Sequence, residues 1–167
     1  MEASNTKTHR EERLWQALEE VCDPEIPVLS ILDLGIVREV HPLDEGWEVV
    51  ITPTYSGCPA MNVIEINIKA LLQERGFAPI KVRTILRPAW TTDWMTEKGK
   101  EKLLAYGIAP PVGSVDKNDL LMSEKTIPCP QCHSTNTEMI SQFGSTACKS
   151  LYRCKDCLEP FDYFKCH

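Results

Sequence analysis

Cys129-Pro130-Gln131-Cys132 and Cys154-Lys155-Asp156-Cys157 are two CxxC pairs with 21 residues between them. Two thiolates three positions apart on a tight turn point the same way, and two such turns facing each other complete a tetrahedron around one metal ion. The intervening Thr135 to Gln142 and Lys149 to Arg153 are strand-like, so the metal is expected to staple a hairpin. The segment is too short to bury much core of its own, and metal binding supplies the folding energy that is missing. A zinc-ribbon-like β domain over residues 127–167 follows. Structural zinc is the first reading of the four cysteines. An iron–sulfur cluster is the second, since Cys₄ ligation suits it too and Cys148 and Cys166 lie close by in the chain. A redox dithiol is the third, although paired CxxC units argue against it. Four thiolates leave no open position, so a zinc here is structural rather than catalytic. Cys148 and Cys166 read most simply as small buried hydrophobes beside strands, and more sharply as additional metal ligands.

Outward from the tail, the bulk properties narrow the class. The chain has 167 residues, enough for one ordinary domain or two small ones. Hydrophobic residues make up 43% and charged ones 25%, which is globular composition. The net charge of −6 disfavours a nucleic-acid partner, whose phosphates need Lys and Arg. No apolar run approaches the roughly 20 residues that span a bilayer. Met1 to Arg13 is polar, without an apolar signal core, so a cytoplasmic location is expected, and a cysteine cluster there reads as metal binding before disulfides.

The first two thirds of the chain read α-β-β-α-β-α. Leu14, Leu18, Val21 and Cys22 recur at helical spacing over 11–22, and Pro24 and Pro27 stop that helix. Ile36 to Val40 and Trp47 to Thr52 are strands joined through Pro42, Asp44, Glu45 and Gly46, a hairpin. A second helix is expected over 60–75, with Ile64, Ile68, Leu71 and Leu72 on one face and Gly76 as its end signal. Ile80 to Leu86 is a third strand, and a third helix runs from near Thr96 to Gly107. The expectation is an α+β fold, a small α/β sandwich over 11–108, joined by a linker over 109–126 to the cysteine-rich domain.

Within that first domain, Thr52-Pro53-Thr54-Tyr55-Ser56-Gly57-Cys58-Pro59 stands out. Pro59 suits the first position of a helix, which sets Cys58 at or just before the N-cap. Free amides and the positive helix end there favour a thiolate, so a lowered Cys58 pKa is expected. The plain alternative is an inert cysteine at a turn. Asp23 and Glu25 form a carboxylate pair after the first helix, though such residues are commonly solvated. Trp90 and Trp94 read as packing at a helix entry, with an exposed aromatic partner surface as the alternative. No histidine sits in a recognisable triad.

Taken in order, Asp23-Pro24-Glu25-Ile26-Pro27, Asp33-Leu34-Gly35-Ile36-Val37, Gly57-Cys58-Pro59 and Pro88-Ala89-Trp90 resemble the MIP18 (DUF59) family of iron–sulfur assembly proteins. Further stretches extend the likeness. They are Thr91-Thr92-Asp93-Trp94-Met95, Phe143-Gly144-Ser145-Thr146-Ala147-Cys148-Lys149 and Glu159-Pro160-Phe161-Asp162-Tyr163-Phe164-Lys165-Cys166. With them the whole chain after the first ten residues resembles a phenylacetate-degradation branch of that family, which joins such a domain to a cysteine-rich tail. The resemblance implies an accessory role in maturing a phenylacetyl-CoA ring-epoxidase complex. The family's reactive cysteine maps to Cys58 and its acidic motif to Asp23 and Glu25. The partners it implies are the reductase or oxygenase subunits of that complex; a homodimer is left open.

Three function classes follow. The first is a metallocluster or iron maturation factor. The second is a thiol redox or catalytic subunit, against which stand the lack of a phosphate loop, a nucleotide-binding glycine fingerprint and a carboxylate–histidine di-iron set. The third is a structural subunit of the same monooxygenase. The residues favour a non-catalytic assembly factor.

Overall fold

The computed structural model describes residues 2–113 and 126–165, with side chains from residue 9 onward. It divides into two compact units, residues 1–90 and 91–167.

In the first unit, helix α1 (Glu2–Leu18) buries Leu14, Ala17 and Leu18. Strand β1 (Val37–Pro42) pairs antiparallel with β2 (Trp47–Ile51), as the hairpin reading requires. Helix α2 (Ala60–Glu74) then crosses over to β3 (Ile80–Thr84), which runs parallel to β2. The sheet order is β1-β2-β3. As the central strand, β2 is buried along its whole length, so Trp47-Glu48-Val49-Val50-Ile51 lacks the alternation of a half-exposed strand. Ala60, Ile64, Ile68 and Leu72 recur every fourth position and form the buried stripe of α2, which packs on α1 and β3.

Glu48 is the polar exception inside β2. Its carboxylate meets Lys81 Nζ at 2.9 Å and Arg83 Nε at 3.1 Å, both from β3. The hydrogen bonds from Lys81 and then Arg83 hold its pKa below the ordinary 4.5. The hairpin turn is equally tight. Leu43 N–H donates to the Gly46 carbonyl at 3.1 Å and Trp47 N–H to the Pro79 carbonyl at 3.0 Å. Gly46 has φ +86°, and a Cβ there would lie 1.9 Å from the Pro79 oxygen.

Packing accounts for two of the family stretches. Asp33 Oδ2 accepts from Ser30 N–H at 3.0 Å while Ser30 Oγ accepts from Asp33 N–H at 3.0 Å, a reciprocal clasp. Trp90 is buried and donates its indole N–H to the Leu34 carbonyl at 2.8 Å.

The second unit opens with a 3-10 turn (Thr92–Trp94) and helix α3 (Glu97–Ala105), whose Thr96 side chain caps Gly99 N–H at 2.9 Å. Four strands follow: β4 (Ile108–Ala109), β5 (Thr137–Ser141), β6 (Lys149–Cys154) and β7 (Pro160–Phe164), in the order β4-β7-β6-β5. The hairpin expected in the tail is the antiparallel β5–β6 pair. The domain division differs from the expected 11–108 and 127–167. Strand β4 pairs parallel with β7, and α3 leads straight into β4, so the third helix belongs to the cysteine-rich unit. Of the expected linker, residues 114–125 lie outside the described residues. Among the described residues no helix is long and apolar enough to cross a membrane.

Two outcomes test this packing. Gly46→Ala should cost more than about 1 kcal/mol in urea unfolding, because the left-handed backbone and the Pro79 carbonyl both oppose it. Gly76→Ala, with φ +79° but no atom within 4 Å of the added Cβ, should cost less. Glu48→Gln should be less stable than the parent at pH 7. A depressed carboxyl contributes stability above its unfolded pKa and loses it as pH falls, so the gap should close below about pH 4. A gap that stays constant down to about pH 3 in thermal melts would contradict the ion-pair account.

Candidate functional site: a four-thiol centre and the Cys58 junction

The four expected tail cysteines converge. The sulfurs of Cys129, Cys132, Cys154 and Cys157 all lie within 4.8 Å of one another. Cys129 Sγ is 3.7 Å from Cys157 Sγ and Cys132 Sγ is 3.6 Å from Cys154 Sγ. A disulfide needs about 2.0 Å, so neither contact is one. Thiolates bound at about 2.3 Å to a tetrahedral ion lie about 3.8 Å apart, which these edges match. The donor set therefore fits a single tetrahedral metal ion.

Two similar knuckles build this arrangement. His133 and Leu158, each just after a CxxC pair, take the left-handed conformation at φ 59° and 65°. Those turns aim amides at sulfur. Ser134 N–H serves Cys132, Asp156 and Cys157 N–H serve Cys154, and Glu159 N–H serves Cys157. Such bonds stabilise thiolates. Asp156 clasps the knuckles together, accepting from Ser134 Oγ and, at 2.8 Å, from Asn136 Nδ2. Lys155 N–H adds a bond to the Asn136 carbonyl at 2.8 Å. Cys129 and Cys154 are fully buried and pack with Ala109, Ile127, Phe161 and Tyr163, whereas Cys132 and Cys157 are exposed. The clasp by Ser134, Asn136 and Asp156 is not evident from the sequence; the Asp inside the second CxxC pair is the one available signal.

Without a cation the four sulfurs oppose one another. The Cys157 and Asp156 amides bring Cys154 down to about 7. The Glu159 amide favours a Cys157 thiolate, yet lost hydration and three neighbouring sulfurs push Cys157 up to about 12.

Cys148 is buried at the approach to β6, with its sulfur 3.0 Å from Thr146 Oγ1, and is not one of the four. Cys166 lies outside the described residues.

Cys58 sits where β2 has ended and α2 begins, the position at which parallel βαβ units present functional groups. Pro59 caps α2 with helical dihedrals, φ −69° and ψ −23°, so Cys58 lies just before the cap. Cys58 N–H donates to the Tyr55 carbonyl at 3.1 Å and the thiol is half-buried. The expected lowering of its pKa is overturned. Burial, the largest effect, raises it, and the charges of Glu25 and Asp23 raise it further. Bonds from the Ala60 amide and the Thr54 hydroxyl favour the thiolate but are outweighed.

Asp23 and Glu25 thus act electrostatically on Cys58, although the three do not approach closely enough to ligate one ion; among the described residues only the tail cysteines do. Asp23 is buried, and its Oδ1 accepts from the Glu25 and Ile26 amides at 2.8 Å each, which shapes the turn. Trp90 is core rather than an exposed aromatic.

Comparison with known proteins follows the same division. Residues 11–76 match the family model described as iron–sulfur cluster assembly protein, and residues 113–165 match the PaaD zinc beta ribbon domain. The chain is 52% identical, over 92% of its length and 91% of the relative's, to a protein of Escherichia coli (strain K12) named as a 1,2-phenylacetyl-CoA epoxidase subunit. It is 34% identical over 58% of its length, and 93% of the relative's, to the Fe-S protein maturation auxiliary factor YitW of Bacillus subtilis (strain 168). The crystal structure of a DUF59 domain from Bacillus anthracis is similar with a TM-score of 0.52 and 29% identity, covering 56% of this chain and 90% of that one.

Anaerobically purified protein should carry one tetrathiolate-bound divalent ion per chain. Cys154→Ser should lose most of it, and chelation should melt the tail while leaving the first unit folded, as separate far-UV and NMR signals would report. Because Cys157 binds its proton tightly in the metal-free state, metal loading must release protons, and affinity should fall as pH falls. Loading without proton release would contradict the four-thiolate centre.

Proposed function

The chain belongs to the PaaD family, which takes in the 1,2-phenylacetyl-CoA epoxidase subunit of Escherichia coli, with a MIP18-type first domain, and from that premise we propose that it is an accessory maturation factor for such an epoxidase. Its cargo is an iron–sulfur cluster or iron, passed to a reductase or oxygenase component of that complex. Cys58 is the transient ligand, and Asp23 and Glu25 are its acidic partners.

One observation carries this reading: a half-buried thiol on a strand–helix junction, its pKa raised first by burial and then by the charges of Glu25 and Asp23. The negative field that opposes a thiolate also attracts a cation. When the iron of the cargo arrives, the Cys58 S–H bond breaks, the proton leaves to water, and a sulfur–iron bond forms. Soft sulfur suits that iron. A single thiolate holds it loosely enough to surrender it again, whereas a closed four-thiolate centre does not. The tail therefore serves a different purpose. Zinc is the ion proposed for it, since sulfurs within 4.8 Å leave room for one ion and not for a polynuclear core. The zinc would supply rigidity by joining the two knuckles, with Cys129, Cys132, Cys154 and Cys157 as its ligands.

Cells carrying Cys58→Ser as their only copy should yield epoxidase with severalfold less bound iron, while the variant itself keeps its fold and its tail metal. Full iron content in that client, measured after anaerobic purification, would sink the proposal and favour a purely structural subunit.

A further inference from the structure

The stretch Phe143 to Lys149 has no part in the four-thiol centre or the Cys58 junction, yet the loop is firmly built. Lys149 is buried and its ammonium meets Asp162 Oδ2 at 3.2 Å. Ser145 Oγ donates to the same oxygen at 3.1 Å. Gly144 N–H donates to the Lys149 carbonyl at 2.8 Å, and a Cβ on Gly144 would stand 2.5 Å from Asp162 Oδ1. Burying an ion pair is a poor way to gain stability. Here the pair fixes a loop rather than a core.

What the loop displays is Phe143, 65% exposed. The Lys165 ammonium lies 4.8 Å from that ring's centroid and donates to the Gln142 carbonyl at 3.1 Å, holding the loop from the other side. Beside Phe143 runs an open groove of about 400 Å³ lined by Ile127, Met139, Tyr152, Tyr163 and Lys165. Met139 is 51% exposed. Among the described residues no carboxylate lines the groove, and the one charged side chain there is a lysine, in a chain whose net charge is −6. A rigid exposed aromatic beside an apolar, cationic groove is the pattern of an interface anchor.

We infer that the Phe143 loop and this groove dock a segment of a partner protein that is apolar and bears a carboxylate, the apolar side chains seating on Tyr152, Met139 and Phe143 and the carboxylate meeting Lys165. The identity of that partner as the client rests on the maturation reading above; the surface itself does not use Cys58.

The experiment measures binding of the full metal-loaded chain to the purified reductase and oxygenase components of the epoxidase. Phe143→Ser and Lys165→Glu should each weaken binding of one component by about tenfold or more, with metal content and circular dichroism unchanged. Glu45→Gln, in the exposed β1–β2 turn, should bind like the parent. Unchanged affinity in both groove variants overturns the docking surface, even where Cys58→Ser lowers client iron and so upholds the maturation role. Weakened docking with normal client iron in Cys58→Ser upholds the surface and overturns that role. A chain dimer abolished by Phe143→Ser would assign the groove to a second copy and overturn the proposal. So would a native groove whose exposed Met139 methyl group is shielded from a soluble paramagnetic probe until Leu120, Leu121 and Met122 are changed to Ser.

Discussion

Four sulfurs within 4.8 Å of one another cannot all be thiolates unless a cation lies among them. The opposed behaviour of Cys154 and Cys157, one near 7 and the other near 12, is the local expression of that constraint. The second unit is organised around satisfying it. Left-handed turns at His133 and Leu158 direct amides at the sulfurs, and Asp156 ties one knuckle to the other. Because Cys129 and Cys154 also belong to the apolar cluster with Ile127, Phe161 and Tyr163, the four-thiol centre and the core are one structural element. The β4-β7-β6-β5 sheet and the four-thiol centre are built in part from the same residues.

The first unit follows a different logic. Its central strand is covered along its length, with Glu48 neutralised by Lys81 and Arg83 from the neighbouring strand. A fully covered β2 feeding a crossover helix leaves the loop at its end as the place where chemistry can occur, and Cys58 is there. Asp23 and Asp33 commit carboxylate oxygens to local turns, which explains much of the sequence likeness in those stretches without invoking ligation.

Much of this is legible from residues close together in the chain. The CxxC pairs, the Gly46 turn and the four-residue rhythm of α2 are local signals, and each appears where the sequence places it. What stays hidden depends on contacts between distant residues. A two-residue strand at Ile108–Ala109 has no periodicity to detect, and only its pairing with β7 draws α3 into the cysteine-rich unit. The Cys58 thiol illustrates the same limit. Its place at the helix start is visible in the sequence and argues for a lowered pKa. The opposing effects are burial in the fold and the charges of Glu25 and Asp23, two residues far upstream in the chain. A helix terminus sets only one contribution to such a balance.

That balance also governs how Cys58 meets oxidants. Peroxide and disulfide attack proceeds through the thiolate, so a sulfur whose pKa is raised first by burial and then by the charges of Glu25 and Asp23 is slow to climb toward sulfenic and sulfinic acids. A positive charge entering the junction would offset the charges of Glu25 and Asp23 and favour the thiolate. The residue is thus chemically quiet at rest, and its reactivity depends on the charge brought near it.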